Sequence, residues 1–499
     1  MDRPGARELL DRVLDPGSWT SWDEPAVQPP GISEAYAAEL ARARETTGFD
    51  ESLITGSGEI HGRRVALIVC EFGFLGGSIG VAAAERLVSA VERATRERLP
   101  LIGAPTSGGT RMQEGTVAFL QMVKITVAVE AHRSARLPYL VYLRHPTTGG
   151  VFASWGSRGH ITAAEPGALI GFLGPRVYSA LYGEPFPEGV QVAENLYEHG
   201  LLDAVVAPED LRSTAADVLD VVLAEREGLP DVGELPKESL PDLPAWESIT
   251  RSRRPERPSV RRLLRTAANT VTPLQGTGQG EVEPGLLLAL AKFGGAPCVV
   301  LGQDRRRQDS ARPLGPAGLR EARRGMRLAA ELGLPLVTII DTAGAALSRE
   351  AEQGGLAGEI ARCLADLVTL PAPTLCVLLG QGGGGGALAL LPADRVLCAQ
   401  HAWLSPLPPE GASAILHRTT ERAPEVAQAQ GVRSLDLLRD GIVDRIVAEH
   451  PDAADEPDAF LRRLGQALEH ELVVLLQQDD QERLVERFRR YRALGTRAR

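Results

Sequence analysis

Residues 373–391 read PTLCVLLGQGGGGGALALL: an apolar run, a cluster of glycines, then an apolar helix-like stretch. A short apolar run of this kind reads as a buried strand. Glycine loses more conformational freedom on folding than any other residue, so such a cluster marks bare backbone that must approach something closely. Gly380, Gly382 and Gly385 fit the spacing G-x-G-x-x-G of a dinucleotide site, which also needs an acidic residue roughly 20 residues further on to hold a ribose. Asp394 comes too early, and RVLCAQHAWLSP after it contains no acid. The dinucleotide reading fails on that point.

A second copy of the pattern explains the stretch better. LPYLVYLRHPTTGGVFASW (137–155) has the same order of strand, glycines and helix. Upstream of each lies a further glycine turn, in ERLPLIGAPTSGGTRMQEG (97–115) and LGLPLVTIIDTAGAALSRE (332–350). Gly150 follows Gly109 by forty-one residues, and Gly385 follows Gly344 by the same interval. Downstream, EHGLLDAVV around Gly200 and RDGIVDRIV around Gly441 place Asp203 and Asp444 in register. Matches in order and at equal spacing indicate a duplicated domain. Apolar runs alternating with helices such as VAAAERLVSAVERATRERL predict an α/β fold, with the two glycine turns of each half at the ends of adjacent strands. Between the halves, residues 226–260 are rich in Pro and charge, as an interdomain linker should be. The expected division is 1–228, a linker 229–258, 259–480, and a charged helix or tail 481–499.

The bulk composition is that of a globular chain of two to four domains: 499 residues, 43% hydrophobic and 24% charged. A net charge of −11 argues against general nucleic-acid binding. No apolar stretch reaches membrane-spanning length, and the charged MDRPGARELLDRVLDPGSW does not read as a signal peptide. Cys70, Cys298, Cys363, Cys376 and Cys398 are scattered without a C-x-x-C pair, so they read as reduced, buried thiols of a cytoplasmic protein, with no metal site.

A strand–turn–helix unit leaves backbone N–H groups without intrahelical partners at the turn. Such groups suit an oxygen that becomes negative in a transition state. Gly108–Gly109 and Gly385–Gly386–Ala387 are therefore expected to hold one carbonyl-type oxygen each, which describes group transfer between two partners. Conventional catalysts are missing from the pattern. His61, His145, His160, His199, His401 and His417 have no G-x-S-x-G or H-E-x-x-H context, and Ser107 has no supporting histidine in a recognisable position. A base supplied by a cofactor fits that absence.

LITGSGEIHGRRVALIVCEFGFLGGSIGVAAAERL, SGGTRMQEG, LPYLVYLRHPTTGGV and AEPGALIGFLGPRV resemble the β subunit of bacterial acetyl-CoA carboxylase carboxyltransferase. WESITRSRRPERPS, GGAPCVVLGQ, LPLVTIIDTAGA, GQGGGGGALAL and PPEGASAILHR resemble its α subunit. The chain thus looks like a β–α fusion. The resemblance implies two crotonase-like domains, each a spiral of ββα units. It also implies transfer of a carboxyl group from carboxybiotin on a carrier protein to acetyl-CoA or a close short acyl-CoA, giving malonyl-CoA for fatty acid biosynthesis. It assigns the enolate to Gly108 and Gly109, and the biotin ureido oxygen to Gly386 and Ala387. Gly76, Gly77, Ser107, Arg111, Gly149 and Gly150 are implied on the acyl-CoA side, and Gly344, Ala345, Gly384 and Gly385 on the biotin side. The sites are expected between protomers of a homo-oligomer. No A-M-K-M biotinylation site or P-loop is present, so separate biotin carboxylase and biotin carboxyl carrier proteins are the expected partners.

The sequence departs from the family in places. Residues 1–50 lack the four cysteines of the β subunit's zinc ribbon, and Asp341-Thr342-Ala343-Gly344 replaces the α-type Asp-Thr-Pro-Gly. Arg63, Arg64 and Asp304–Arg307 are candidates for CoA phosphates, with solvated surface the plainer reading. A decarboxylase of the malonate decarboxylase type, or a non-catalytic carboxylase scaffold, would share the architecture.

Overall fold

The computed structural model describes residues 4–226, 228–229, 232–236, 238–308 and 313–495. The chain forms two compact units that part between Leu219 and Asp220, with Gly278–Gly280 counted to the first. The strands of the first unit are β1 (Thr20–Ser21), β2 (Leu53–Ile60), β3 (Arg63–Cys70), β4 (Leu101–Ala104), β5 (Tyr139–Leu143), β6 (Thr147–Thr148), β7 (Ile161–Ala164), β8 (Ile170–Gly171) and β9 (Ala204–Val205). Its main sheet has the order β1-β2-β3-β4-β5-β7-β9, and β6 pairs with β8 apart from it. β2 and β3 form an antiparallel hairpin, whereas β3, β4, β5, β7 and β9 run parallel.

The second unit repeats the scheme. Its strands are β10 (Thr270–Leu274), β11 (Leu286–Phe293), β12 (Ala296–Gln303), β13 (Leu336–Thr342), β14 (Thr374–Gly383), β15 (Arg395–Ala399), β16 (Trp403–Ser405) and β17 (Arg445–Val447). The order is β10-β11-β12-β13-β14-β15-β17, with β16 added beside the end of β14. The hairpin is β11/β12, and β12 to β17 are parallel. Strands covered on both faces need near-continuous apolar sequence. LVTIIDT of β13 and TLCVLL of β14 are buried throughout. The helices Val81–Arg96 and Pro316–Leu332 supply the cover, turning alanine- and leucine-rich faces inward. These are the duplicated, crotonase-like α/β domains expected from the sequence.

Two expectations about the connecting segments change. The unit boundary lies at 219/220 rather than 228, and much of the expected linker is packed structure. Ala245–Ser252 is a helix whose Ala245 and Ile249 pack against Trp403, Ala427 and Val432. Arg257 is buried with Glu449 and Asp452, its Nη1 2.9 Å from Asp452 Oδ1. Pro and charge mark a linker only while the charges stay in water, and here they find partners far along the chain. Likewise Asp480–Arg492, expected as a charged helix or tail, is a helix with Arg483 and Arg487 buried. Arg487 donates to both oxygens of Asp394, at 2.7 Å each. Residues 230, 231 and 237 of the expected linker and 496–499 of the tail lie outside the described residues. All five cysteines are buried, and burial pushes their thiols above the ordinary range. Among the described residues, no helix is long and apolar enough to cross a membrane, and no group of side chains is arranged to hold a metal ion.

Candidate active site

The two glycine turns of each unit follow neighbouring parallel strands, β4 and β5 in the first, β13 and β14 in the second. Each upstream turn is tied by a hydroxyl two residues before its glycine. Gly109 N–H donates to Ser107 Oγ at 3.0 Å, and Gly344 N–H donates to Thr342 Oγ1 at 3.2 Å. Both glycines have positive φ, 113° and 151°, a region side chains rarely adopt. The next residue forms a parallel bridge in both units, Thr110 with Ile79 and Ala345 with Leu314. Each downstream turn opens a short helix with glycine at nearly the same φ, Gly149 at 63° and Gly384 at 60°.

Each pair of turns closes on itself. A Cβ built on Gly109 would lie 3.7 Å from Gly149 Cα, and one on Gly386 would lie 3.2 Å from Ala345 N. The structure thus brings together Ser107, Gly108, Gly109, Gly149 and Gly150 in the first unit. In the second it gathers Gly344, Ala345, Gly384, Gly385, Gly386 and Ala387.

Which N–H groups remain available differs from the sequence expectation. Gly108 N–H donates to Gly76 O at 2.8 Å, and Gly109 N–H is taken by Ser107. Neither can hold an enolate. Gly149 N–H is used as well, on Phe172 O at 3.0 Å. Among the described residues, no hydrogen bond takes up the N–H of Thr110, and Gly150 is in the first helical turn, where no intrahelical acceptor exists. Thr110 Oγ1 is 3.3 Å from the Cβ position of Gly150, so these two donors are neighbours.

In the second unit no hydrogen bond among the described residues takes up Ala345 N–H, which lies 3.2 Å from the Cβ position of Gly386, while Gly385 is in the first helical turn. Ala387 stands further along the same helix. With Gly383 as N-cap it is the fourth helical residue, the position at which an N–H ordinarily turns back to the cap carbonyl. Thr110 escaped the sequence reading, although the register of Gly109 with Gly344 places it opposite Ala345.

The remaining predicted residues support the turns. A side chain on Gly77 would run into Thr106 O, so the Gly76–Gly77 turn braces the upstream loop. Arg111 is fully buried and ion-paired to Glu51, with further bonds to Tyr36 Oη and Ser78 O, so it cannot reach a ligand in solvent. Arg305 donates to the carbonyls of Ser252 and Arg254, capping the end of the Ala245–Ser252 helix, and Arg64 pairs with Glu97. In the second unit Gln303, fully buried, accepts Asp341 N–H at 3.2 Å and donates to Gly386 O at 2.7 Å, clamping the glycine helix to β13. Burial pushes the Asp341 carboxyl above its usual range, against the pull of Arg305 and Arg257. A cavity of about 590 Å³ opens over Thr342–Ala345 and Gly384–Gly385, walled by Leu347, Ile360 and Pro406. A larger one of about 720 Å³ lies under the first helix. Its Asp15 is already taken up by the N–H groups of His61 and Gly62 and by Arg212.

Backbone N–H groups thus border the glycine turns of both units, an arrangement suited to oxygens that gain negative charge. The chain matches the carboxyl transferase domain over residues 3–482. It is 62% identical to a probable biotin-dependent acyl-coenzyme A carboxylase beta3 subunit of Mycobacterium tuberculosis, over 99% of both chains. It is 38% identical to the acetyl-coenzyme A carboxylase carboxyl transferase subunits beta/alpha of Salinispora arenicola, over 99% of this chain and 91% of that one. Transcarboxylase 12S, solved with methylmalonyl-coenzyme A and methylmalonic acid bound, superposes with a TM-score of 0.74 at 20% identity, covering 96% of this chain and 91% of that one. A single-chain, multi-domain long-chain acyl-CoA carboxylase does so at 0.72 and 19%, covering 93% and 46%. The chain belongs to the carboxyl transferase family and is a carboxyltransferase of a biotin-dependent acyl-CoA carboxylase.

Proposed function

We propose that this carboxyltransferase moves a carboxyl group from carboxybiotin on a separate carrier protein to the α carbon of acetyl-CoA or a close short acyl-CoA. The first unit serves as the β-type, acyl-CoA half and the second as the α-type, biotin half of a fusion. One observation carries the reading: free N–H donors recur in register, Thr110 with Gly150 and Ala345 with Gly385. Two such pairs suit two carbonyl oxygens that gain charge in one transfer.

Biotin, when bound, supplies the carboxyl group and a ureido base. The chain's own part is electrostatic. Thr110 and Gly150 N–H groups hold the thioester oxygen as the α proton leaves, and those of Ala345 and Gly385 hold the ureido oxygen. The second cradle suits a flat bicyclic ring, because glycines and apolar side chains, among them Leu347, Ile360 and Pro406, line it with Gln308 and Gln381. Val117, Phe119, Leu120 and Val123 are exposed on the helix Gly115–Ser134, as are Leu347, Ile415 and Leu416 in the second unit. Such apolar patches mark protein contacts. A second copy of the chain is the proposed cover, and a biotin carboxylase and carrier in the cytoplasm are the proposed partners.

Incubating the purified protein with malonyl-CoA and biocytin tests the assignment. Acetyl-CoA release is expected. Release from none of malonyl-, methylmalonyl- or ethylmalonyl-CoA would overturn it.

A further inference from the structure

We infer that Met122 sets the size of the α-substituent that the acyl-CoA site accepts. The inference rests on the proposed role of Thr110 and Gly150 as thioester-oxygen donors. With that oxygen on the two N–H groups, the α carbon lies one bond beyond the carbonyl carbon, within van der Waals reach of whatever borders the donors.

The border is Met122. Its Cγ and Sδ lie 3.2 and 3.4 Å from the Cβ position of Gly150, and Thr110 Oγ1 lies 3.3 Å from the same position. A carbon added at Gly150 would therefore press on the thioether unless it moves. The helix Gly115–Ser134 turns Met122 inward, 7% exposed, while Phe119 and Val123 beside it stay largely in solvent. Ser154 holds the thioether in place. Its Oγ donates to Gly150 O at 2.6 Å and lies 3.5 Å from Met122 Sδ.

Methionine is unbranched and polarizable, so it fills an irregular gap and yields by rotamer change rather than by backbone movement. Shortening it to alanine removes three heavy atoms from the wall, and a pocket that gains or loses a methylene's space discriminates by roughly 10- to 200-fold.

The test compares malonyl-, methylmalonyl- and ethylmalonyl-CoA, whose α-substituents are hydrogen, methyl and ethyl, as donors to biocytin. Met122→Ala is expected to raise kcat/KM for ethylmalonyl-CoA relative to malonyl-CoA by about 10-fold or more. Met122→Phe should lower methylmalonyl-CoA relative to malonyl-CoA by a similar factor, and Met122→Leu should keep the wild-type order. Should the alanine variant not fold, the phenylalanine and leucine variants carry the comparison. Ratios within twofold of wild type in the folded variants would overturn the role of Met122 while leaving the proposed function standing. A wild-type protein inactive on all three substrates would overturn both.

Discussion

In the first unit Gly150 sits against Met122, with Ser154 behind it, whereas in the second Gly385 sits against Ile360, beside a cavity that Leu347, Gln381 and Pro406 also line. The backbone is nearly the same in both: hydroxyl, glycine of positive φ, bridged residue, then a glycine helix start. Duplication preserved the donors, and side chains then gave the two cradles different walls, a thioether in one and a branched aliphatic in the other. Backbone N–H groups survive almost any substitution, so they can be copied while the walls diverge. The supports diverged as well. Gln303 clamps the second glycine helix by its carbonyl, while Ser154 holds the first.

The most direct way to break the comparison is to fill one cradle at a time. Gly386→Val would place a branched side chain 3.2 Å from Ala345 N, over the donor. Losing one preorganised oxyanion donor costs about 10²–10³ in rate, and blocking the seat as well should abolish malonyl-CoA-to-biocytin transfer. Acyl-CoA affinity, measured by calorimetry, should stay near wild type in this variant. Gly150→Val should reverse the pattern, weakening acyl-CoA binding as the new side chain meets Met122. Equal losses on both substrates in both variants would erase the distinction between the cradles.

A second contrast is in pH dependence. In the first unit His132 is buried against Thr95, Pro138 O and His160, and burial lowers its pKa to about 4. In the second, burial of Glu321, facing Glu283 and Arg324, raises its carboxyl to about 7. The signs are opposite. The neutral His132 contributes stability that is full above its unfolded pKa near 6.5 and is lost as pH falls through about 4. The neutral Glu321 contributes stability that is full below 4.5 and is lost as pH rises through about 7. Each shift corresponds to roughly 3 kcal/mol. Hydrogen exchange followed by peptide should therefore show the His132 region losing protection toward acid and the Glu321 region toward neutral and higher pH. Glu321→Gln should flatten the second response and leave the first.

The smallest expected effect sharpens the donor assignment. Gly108 has room for a methyl group, its nearest neighbour being Gly76 O at 3.6 Å, and its N–H is already engaged. Gly108→Ala should keep transfer within about threefold of wild type, since an added methyl in open space disturbs little. A hundredfold loss would return the enolate to the SGG turn.

The duplication, the α/β layering and the placing of the glycine turns at the ends of adjacent strands were legible in the sequence. Strand runs, glycine turns and a forty-one-residue interval are local signals that survive without knowledge of any contact. The linker was misread for the converse reason. SRRPERPS looks solvated until Arg257 meets Glu449 and Asp452, nearly two hundred residues away. Arg111 misled in the same way, as a ligand-binding cation that is in fact buried on Glu51.

The sequence by itself determined that PTLCVLLGQGGGGGALALL and its partner would present bare backbone at the ends of neighbouring strands. Only the tertiary structure decided which N–H groups are free. That depends on where Gly76 O, Ser107 Oγ and Phe172 O come to rest, and an amide gives its proton to whichever acceptor packing brings within about 3 Å. Spacing along the chain does not report that distance.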